Sequence, residues 1–286
     1  MMVGMSAPEI SPAFSVPLDR LAEGFAACFA LYVVPISGDV RAFEQRVRTE
    51  HVHLTDSLVV VREGRVEALA LVARRGDTSR VAAMAIVPGS RRTGVGRALV
   101  HRLLDEARGR GDRSMLLEVI ESNAPAVALY EREGFQIRRR LVGWEGTLPE
   151  HAAPLEEIPL STALAAVLRD GEPGLPWQLA PETLAGLTAP ARAFRLGAAV
   201  AVILEAGPQD VMIRSLVVAG DQRRRGEGSR LLRALAARLP GRRWRTQVIL
   251  PEQLGAAFFS ANGLRRQALT QLEMSHGLQV GEASIR

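Results

Sequence analysis

The chain has 286 residues, 47% of them apolar and 23% charged, enough for one large or two ordinary globular domains and too apolar for a disordered chain. All 36 basic residues are arginine, which excludes every chemistry that needs a lysine amine: a Walker A nucleotide site, a kinase-type phosphate lysine, a Schiff base to a pyridoxal cofactor. The net charge of +5 is thinly and evenly spread, so no nucleic-acid partner is expected, and the lone Cys28 allows neither an internal disulfide nor a multi-cysteine zinc site.

Met1 to Pro12 lacks the basic start and apolar core of a signal peptide, and the apolar run from Phe25 to Ile36 is too short to span a bilayer. The expected setting is therefore reducing and cytoplasmic, with no membrane partner. Asp39 to Glu50 reads as a helix capped by Asp39, with Val40, Phe43 and Val47 on one face. Strands follow at Ser57 to Arg62, Val66 to Arg74 and Val81 to Val87, separated by turns at Glu63-Gly64 and Gly76-Asp77. Beyond a glycine loop, Val95, Ala98, Leu99, Leu103, Leu104 and Ala107 keep a helical spacing, and Gly109 and Gly111 end it. A strand from Met115 to Ile120 and a short helix from Pro125 to Glu133 come next, with Gly134 as the C-cap. A final strand pair is expected around Phe135 to Trp144.

The pattern then repeats. Arg91-Arg92-Thr93-Gly94-Val95-Gly96 recurs 132 residues later as Arg223-Arg224-Arg225-Gly226-Glu227-Gly228. Ala128-Leu129-Tyr130 with Gly134-Phe135 recurs 129 residues later as Ala257-Phe258-Phe259 with Gly263-Leu264. Two ordered landmarks at nearly one offset predict a duplicated domain: residues 1–146, a linker at 147–159 rich in proline and glutamate, and residues 160–286. In the second copy Leu231, Leu235 and Leu239 share a helical face.

Chemistry shows first in the glycine loop. A strand ending at Val87, a tight turn and a helix starting near Gly94 leave backbone N–H groups pointing into one hollow at the positive end of a helix dipole, which is an anion cradle. Gly94 and Gly96 allow close approach of a phosphate, and Arg91 can add a charge-assisted bond. From the glycines alone an ordinary strand-to-helix turn reads equally well. A Rossmann fingerprint is excluded, because Leu99 stands at its third glycine.

The run Ile86-Val87-Pro88-Gly89-Ser90-Arg91-Arg92-Thr93-Gly94-Val95-Gly96-Arg97-Ala98-Leu99 resembles the acetyl-coenzyme A loop of the GCN5-related N-acetyltransferase (GNAT) family, Q/R-x-x-G-x-G/A after a strand. Leu117-Glu118-Val119, Asn123, Ala126 and Leu129-Tyr130-Glu131-Arg132-Glu133-Gly134-Phe135 look like that family's second signature. The resemblance covers residues 54–140 well and 192–274 more loosely. It implies an α/β (α+β) chain of two tandem domains packed on each other, each a mixed, mostly antiparallel sheet that splays between its fourth and fifth strands and is flanked by helices. It implies acetyl-coenzyme A as co-substrate and no metal, with the pyrophosphate on Arg91, Arg92, Thr93, Gly94, Val95, Gly96 and Arg97. The pantetheine arm would lie along Met84, Ile86 and Val87, with Asn123 as a contact or a helix cap, and a strand N–H would hold the thioester carbonyl.

By the same resemblance Tyr130 is the general acid that protonates the departing thiolate; on spacing alone it reads as a core aromatic. No carboxylate stands in the fourth strand, so Glu118 and Glu121 through water, or His51, His53 and Asp56, are the general-base candidates, each with a structural reading beside it, and bulk water is the alternative for an amine that arrives partly neutral. Phe25 to Glu50 falls where the family builds its acceptor pocket, for a small-molecule or peptide amine; Tyr32, Pro35 and Ile36 are the candidates to line it, with a hydrophobic helix end and turn as the other reading, favoured for Pro35 and Ile36 and left open for Tyr32. Trp144 and Trp177 read as packing residues. The second copy is expected to be catalytically silent: Phe259 replaces Tyr130, Gly220 replaces Pro88, and Glu227 is expected to face the phosphates. An N-acetyltransferase leads; a non-catalytic acyl-coenzyme A sensor and an interaction scaffold are the alternatives.

Overall fold

A computed structural model describes residues 9–30 and 38–278. The chain divides into two compact units whose membership does not follow chain order. The first takes the described residues up to Val119, then Asn123–Arg138, and finally those from Glu273 onward. It opens with strand β1 (Ile10–Pro12) and helix α1 (Leu18–Cys28), whose buried Leu21, Ala22, Phe25 and Cys28 form a single apolar stripe at helical spacing. Helix α2 (Val40–Glu50) and strands β2 (Leu58–Arg62), β3 (Arg65–Arg75) and β4 (Thr78–Ile86) come next. Helix α3 (Val95–Gly109), strand β5 (Ser114–Ile120), helix α4 (Ala124–Arg132) and the start of strand β6 (Gln136–Gly146), which belongs to the second unit from Arg139 on, complete the first stretch of chain.

The sheet order is β1-β2-β3-β4-β5, antiparallel until β4 and β5, which run parallel, and then the chain's last strand segment. This is the mixed, mostly antiparallel sheet flanked by helices that the family resemblance implies. Leu69, Leu71, Leu99, Leu103, Met115 and Leu117 are fully buried between sheet and helices.

Local differences have physical reasons. β4 starts at Thr78, earlier than its apolar run, because Ser79 and Arg80 are buried and satisfied by Asp112, Glu118 and Glu50. Asp39 caps α2 as expected, accepting the Ala42 N–H at 2.9 Å, but Val40 is 39% exposed, and Phe43 carries the buried face. The strand pair expected near Phe135 is one long strand, β6, whose register from Leu141 on is with residues more than 90 positions away.

The second unit holds Ile120–Ser122 and Arg139–Leu272. Its elements are β7 (Glu156–Ile158), α5 (Leu160–Asp170), α6 (Pro181–Ala185), β8 (Ala191–Leu196), β9 (Ala199–Ala206) and β10 (Asp210–Val218). Then come α7 (Glu227–Arg238), β11 (Arg243–Thr246), β12 (Leu250–Pro251), α8 (Ala256–Ala261) and β13 (Arg265–Gly277). Strand β7 falls inside the stretch read as a linker, since Glu156 and Glu157 pair across to Arg195 and Arg192 on β8. Trp144 stacks on Phe259 at 5.6 Å between ring centres, with Phe194, Leu231, Leu235 and Trp244 in the same core. Trp177 is buried as well. α5 repeats α1 closely: both have 11 residues, and a proline, Pro17 or Pro159, precedes each. Among the described residues no helix is long and apolar enough to cross a membrane.

Candidate functional site

In the first unit β4 pairs with β3 along its whole length, from Thr78 to Ile86, but with β5 only from Thr78 to Val81. The β3–β4 register jumps at the same place, leaving Ala82 as an extra residue between Val81 and Ala83, a bulge that turns the strand away from its neighbour. Beyond it one edge of β4 is no longer paired by β5. Met84, Ala85 and Ile86 form one wall of a cavity of about 1050 Å³, and Pro125, Ala126, Leu129 and Tyr130 of α4 form the other.

The loop that closes one end is built from the strand upward. Glu67 of β3 accepts the Val87 N–H on its carbonyl at 2.8 Å and the Ser90 hydroxyl on its carboxylate at 2.9 Å. Thr93 donates its hydroxyl to the Ser90 carbonyl at 2.8 Å, and the Arg91 Nε donates to the Ile86 carbonyl at 3.0 Å. Arg92 has a φ of 64° and Gly94 one of 88°, the left-handed turn that a side chain adopts only at a cost. No side chain caps the N-terminus of α3, so its first N–H groups face the hollow. At Gly96 a Cβ would stand 3.3 Å from Ile86 Cδ1, which shows how closely helix and strand approach.

Arg91, Arg92, Gly94, Gly96, Arg97 and Asn123 line the cavity with Met84, Ile86 and Tyr130, so nine of the predicted residues converge. Val87, Thr93 and Val95 do not line it: the Val87 N–H is taken by Glu67, the Thr93 side chain turns back to Ser90, and Val95 is buried. Asn123 sits at the N-cap position of α4 but its side chain makes no capping bond. Tyr130 is 6% exposed and meets Phe135 edge-on at 5.7 Å.

Sequence reasoning missed Glu133, Cys28 and Phe29, which line the same cavity. Glu133 is nearly buried and takes the Arg97 Nε at 3.1 Å and the His101 Nε2 at 2.8 Å. The spacing of Arg97 and His101, one helical turn apart, was the available signal. Burial pushes the Cys28 thiol up to about 11, so it is a wall, not a nucleophile.

The base candidates separate clearly. Arg80 is buried on β4 and donates to Glu118 at 2.6 and 2.7 Å and to Glu50 of α2 at 2.9 Å. Burial opposes its charge, but the two carboxylates outweigh it and hold the guanidinium protonated. Burial likewise pushes the Glu118 carboxyl up, opposed by Arg80 and aided by Glu50 and Glu273. Glu121 belongs to the second unit and is held below the ordinary glutamate range by the Thr270 hydroxyl at 2.6 Å and by Arg140. His51 accepts from the Arg75 Nε at 3.1 Å, and His53, half exposed, faces Asp56 at 3.7 Å. None of the five lines the cavity. Tyr32, Pro35 and Ile36 lie outside the described residues.

The second unit copies the loop backbone, with φ of 60° at Arg224 and 82° at Gly226 and an uncapped α7. Arg223 reaches back to the Val218 carbonyl as Arg91 does to Ile86. The expectation for Glu227 is corrected: its carboxylate accepts the Ala198 N–H at 3.4 Å and a bond from Arg230, three residues along the same helix, at 2.7 Å.

Residues 20–135 match the model of the acetyltransferase (GNAT) family. Among curated proteins the chain is similar to the ribosomal protein bS18-alanine N-acetyltransferase of Escherichia coli K12, 40% identical over 76 residues, 27% of this chain and 51% of that protein. It is also similar to the streptothricin acetyltransferase of Streptomyces lavendulae, 46% identical over 50 residues, 18% of this chain and 26% of that one. The chain thus spans about half the length, or less, of these two relatives. In structure it is similar to a tandem GNAT protein from the clavulanic acid biosynthesis pathway, with a TM-score of 0.69 at 16% identity, over 96% of this chain and 99% of that one. A putative acetyltransferase from Pyrococcus horikoshii gives a TM-score of 0.66 at 13% identity, over 98% and 92%. The N-terminal part of the chain thus matches the GNAT family model, and the whole chain has the fold of a tandem GNAT protein.

Proposed function

We propose that the first unit is an acetyl-coenzyme A-dependent N-acetyltransferase in which an acceptor amine attacks the thioester directly and Tyr130 gives a proton to the departing thiolate. One observation carries the reading: a single cavity holds the edge of β4 released from β5, the uncapped α3 N-terminus among Arg91, Arg92 and Arg97, and Tyr130 on the facing wall. These residues fit the co-substrate. A diphosphate asks for backbone N–H groups and arginines, an amide-bearing arm asks for an unpaired strand edge, and both are present on that cavity.

When bound, the thioester supplies an activated acetyl group. A β4 backbone N–H near the Ala82 bulge would donate to the carbonyl oxygen as it gains charge. None of the base candidates lines the cavity, so the amine would attack as its free base and release its proton to solvent water. The phenol of Tyr130 would pass its proton to sulfur and regain one from solvent, so the products are an amide and a free thiol. A reducing, cytoplasmic setting suits a chain whose one thiol is buried and unreactive.

The bS18-alanine relative makes a peptide α-amine the first acceptor to try, beside small-molecule amines. A binding-only sensor has one observation in its favour: Glu133, among the described residues the single carboxylate lining the cavity, is committed to Arg97 and His101. Incubation with acetyl-coenzyme A and an amine panel, reading free thiol, decides between them. Amine-dependent thiol release supports the enzyme; saturable coenzyme A binding with no release on any amine supports the sensor.

A further inference from the structure

In the second unit a cavity of about 280 Å³ opens where β10 leaves β11: β10 pairs with β9 as far as Val218 but with β11 only as far as Ile213. We propose that this cavity binds an uncharged, slender apolar amide and excludes the phosphates of coenzyme A. The inference stands apart from the reading given to the first unit.

The walls are Leu216, Val218, Leu254, Phe258 and Phe259, with the strand segment after Ile213 as the floor. An apolar slot with an edge of sheet along it favours an apolar chain that also carries an amide to hydrogen-bond. The charges on its lining balance: Arg214 and Arg223 against Asp170 and Glu172. Arg223 donates to its strand carbonyl, Val218, as Arg91 does to Ile86, and in addition its terminal nitrogen is taken by the Asp170 carbonyl.

Phosphate is excluded by the end of α5. The Asp170 carboxylate, paired with the exposed Arg169 at 2.8 Å, accepts the Gly220 N–H at 3.2 Å and so occupies a donor at the mouth of the glycine loop that a phosphate would need. At the matching end of α1 in the first unit stands the uncharged Cys28, and at the matching loop position stands Pro88, which has no N–H. Phe258 adds bulk, its ring lying 3.1 Å from where a Cβ on Gly228 would be. Phe259 in place of a tyrosine offers no proton, so the site binds and does not turn over.

All three tryptophans, Trp144, Trp177 and Trp244, belong to the second unit, and Trp144 stacks on the cavity residue Phe259, so intrinsic fluorescence reports this unit. The probe is N-hexylacetamide, titrated into the full chain with and without saturating coenzyme A. We expect a saturable tryptophan change that coenzyme A leaves in place, weakened at least about tenfold in both Leu216→Phe and Leu254→Phe, two variants that fill the slot from different walls. Asp170→Ala should leave the amide affinity within about twofold and let coenzyme A produce a tryptophan change of its own. The proposal is overturned if the wild-type chain shows no response to the amide up to millimolar concentration, if coenzyme A displaces the amide from it, or if Asp170→Ala gains nothing for coenzyme A.

Discussion

Replacing Tyr130 with phenylalanine removes one oxygen from a ring that is 6% exposed and packs edge-on against Phe135 at 5.7 Å. The ring stays, so the packing stays, and the loss of one hydroxyl hydrogen bond costs about 0.5–1.5 kcal/mol of folding stability. Proton donation by a positioned side chain is worth about 10²–10⁴ in rate, or about 2.7–5.4 kcal/mol of barrier. The two effects therefore differ enough to be told apart. Turnover measured by free-thiol release should fall at least about 100-fold, while the urea midpoint barely moves and the coenzyme A dissociation constant stays within about threefold. Tyr130→Ala is the wrong variant, since emptying the ring site costs about 3–5 kcal/mol by itself. Turnover in Tyr130→Phe within about threefold of wild type would refute the acid role and leave Tyr130 as a wall of the cavity.

Arg91→Ala removes both the brace on the Ile86 carbonyl and a cation of the loop, and coenzyme A affinity read by calorimetry should drop about tenfold or more. Gly94→Val forces a β-branched side chain to a φ of 88°, costing about 1–2 kcal/mol, visible as a lower melting temperature together with weaker binding. Arg80→Ala strands Glu118 and Glu50 without their shared cation and should cost about 3–5 kcal/mol in urea unfolding. Burial alone would raise the Asp112 carboxyl, but Ser79, Arg74 and Arg110 hydrogen bonds hold it below the ordinary aspartate range. Its contribution is present above pH ~4 and is lost as pH falls through the lowered value, so the stability gap between wild type and Asp112→Asn should be wide at pH 7 and close in acid.

What the sequence made readable was local. Spacing of apolar residues located α3, because Leu99, Leu103 and Ala107 return every turn, and Asp39 announced α2 by the bond it makes to Ala42. The strand β4 was cut short because Ser79 and Arg80 look like turn residues until Asp112 and Glu118, more than 30 positions away, arrive to satisfy them. The last strands were misread for a related reason. Nothing in Phe135 to Gly146 says that Gly146 and Glu145 will pair with Trp244 and Arg245, or that the residues from Glu273 will join the unit of β1 to β5. Strand partners of that range leave no periodic mark in either segment.

The two glycine loops show where motif reading stops. Their backbones agree residue by residue, with positive φ at Arg92 and Arg224 and again at Gly94 and Gly226, so the repeat was visible in the sequence and is real in the structure. The charge that distinguishes them was placed on Glu227, the neighbour in sequence. Glu227 instead spends its oxygens on Ala198 and on Arg230, which lies three residues along the same helix, a contact any helix start offers. The carboxylate that reaches the loop is Asp170, 50 residues before Gly220 and delivered by the end of α5. In the first unit the end of α1 delivers Cys28 to the cavity wall instead. A glycine loop sets the N–H groups; the third element that closes over it sets the charge those groups will meet, and so whether an anion is welcome there.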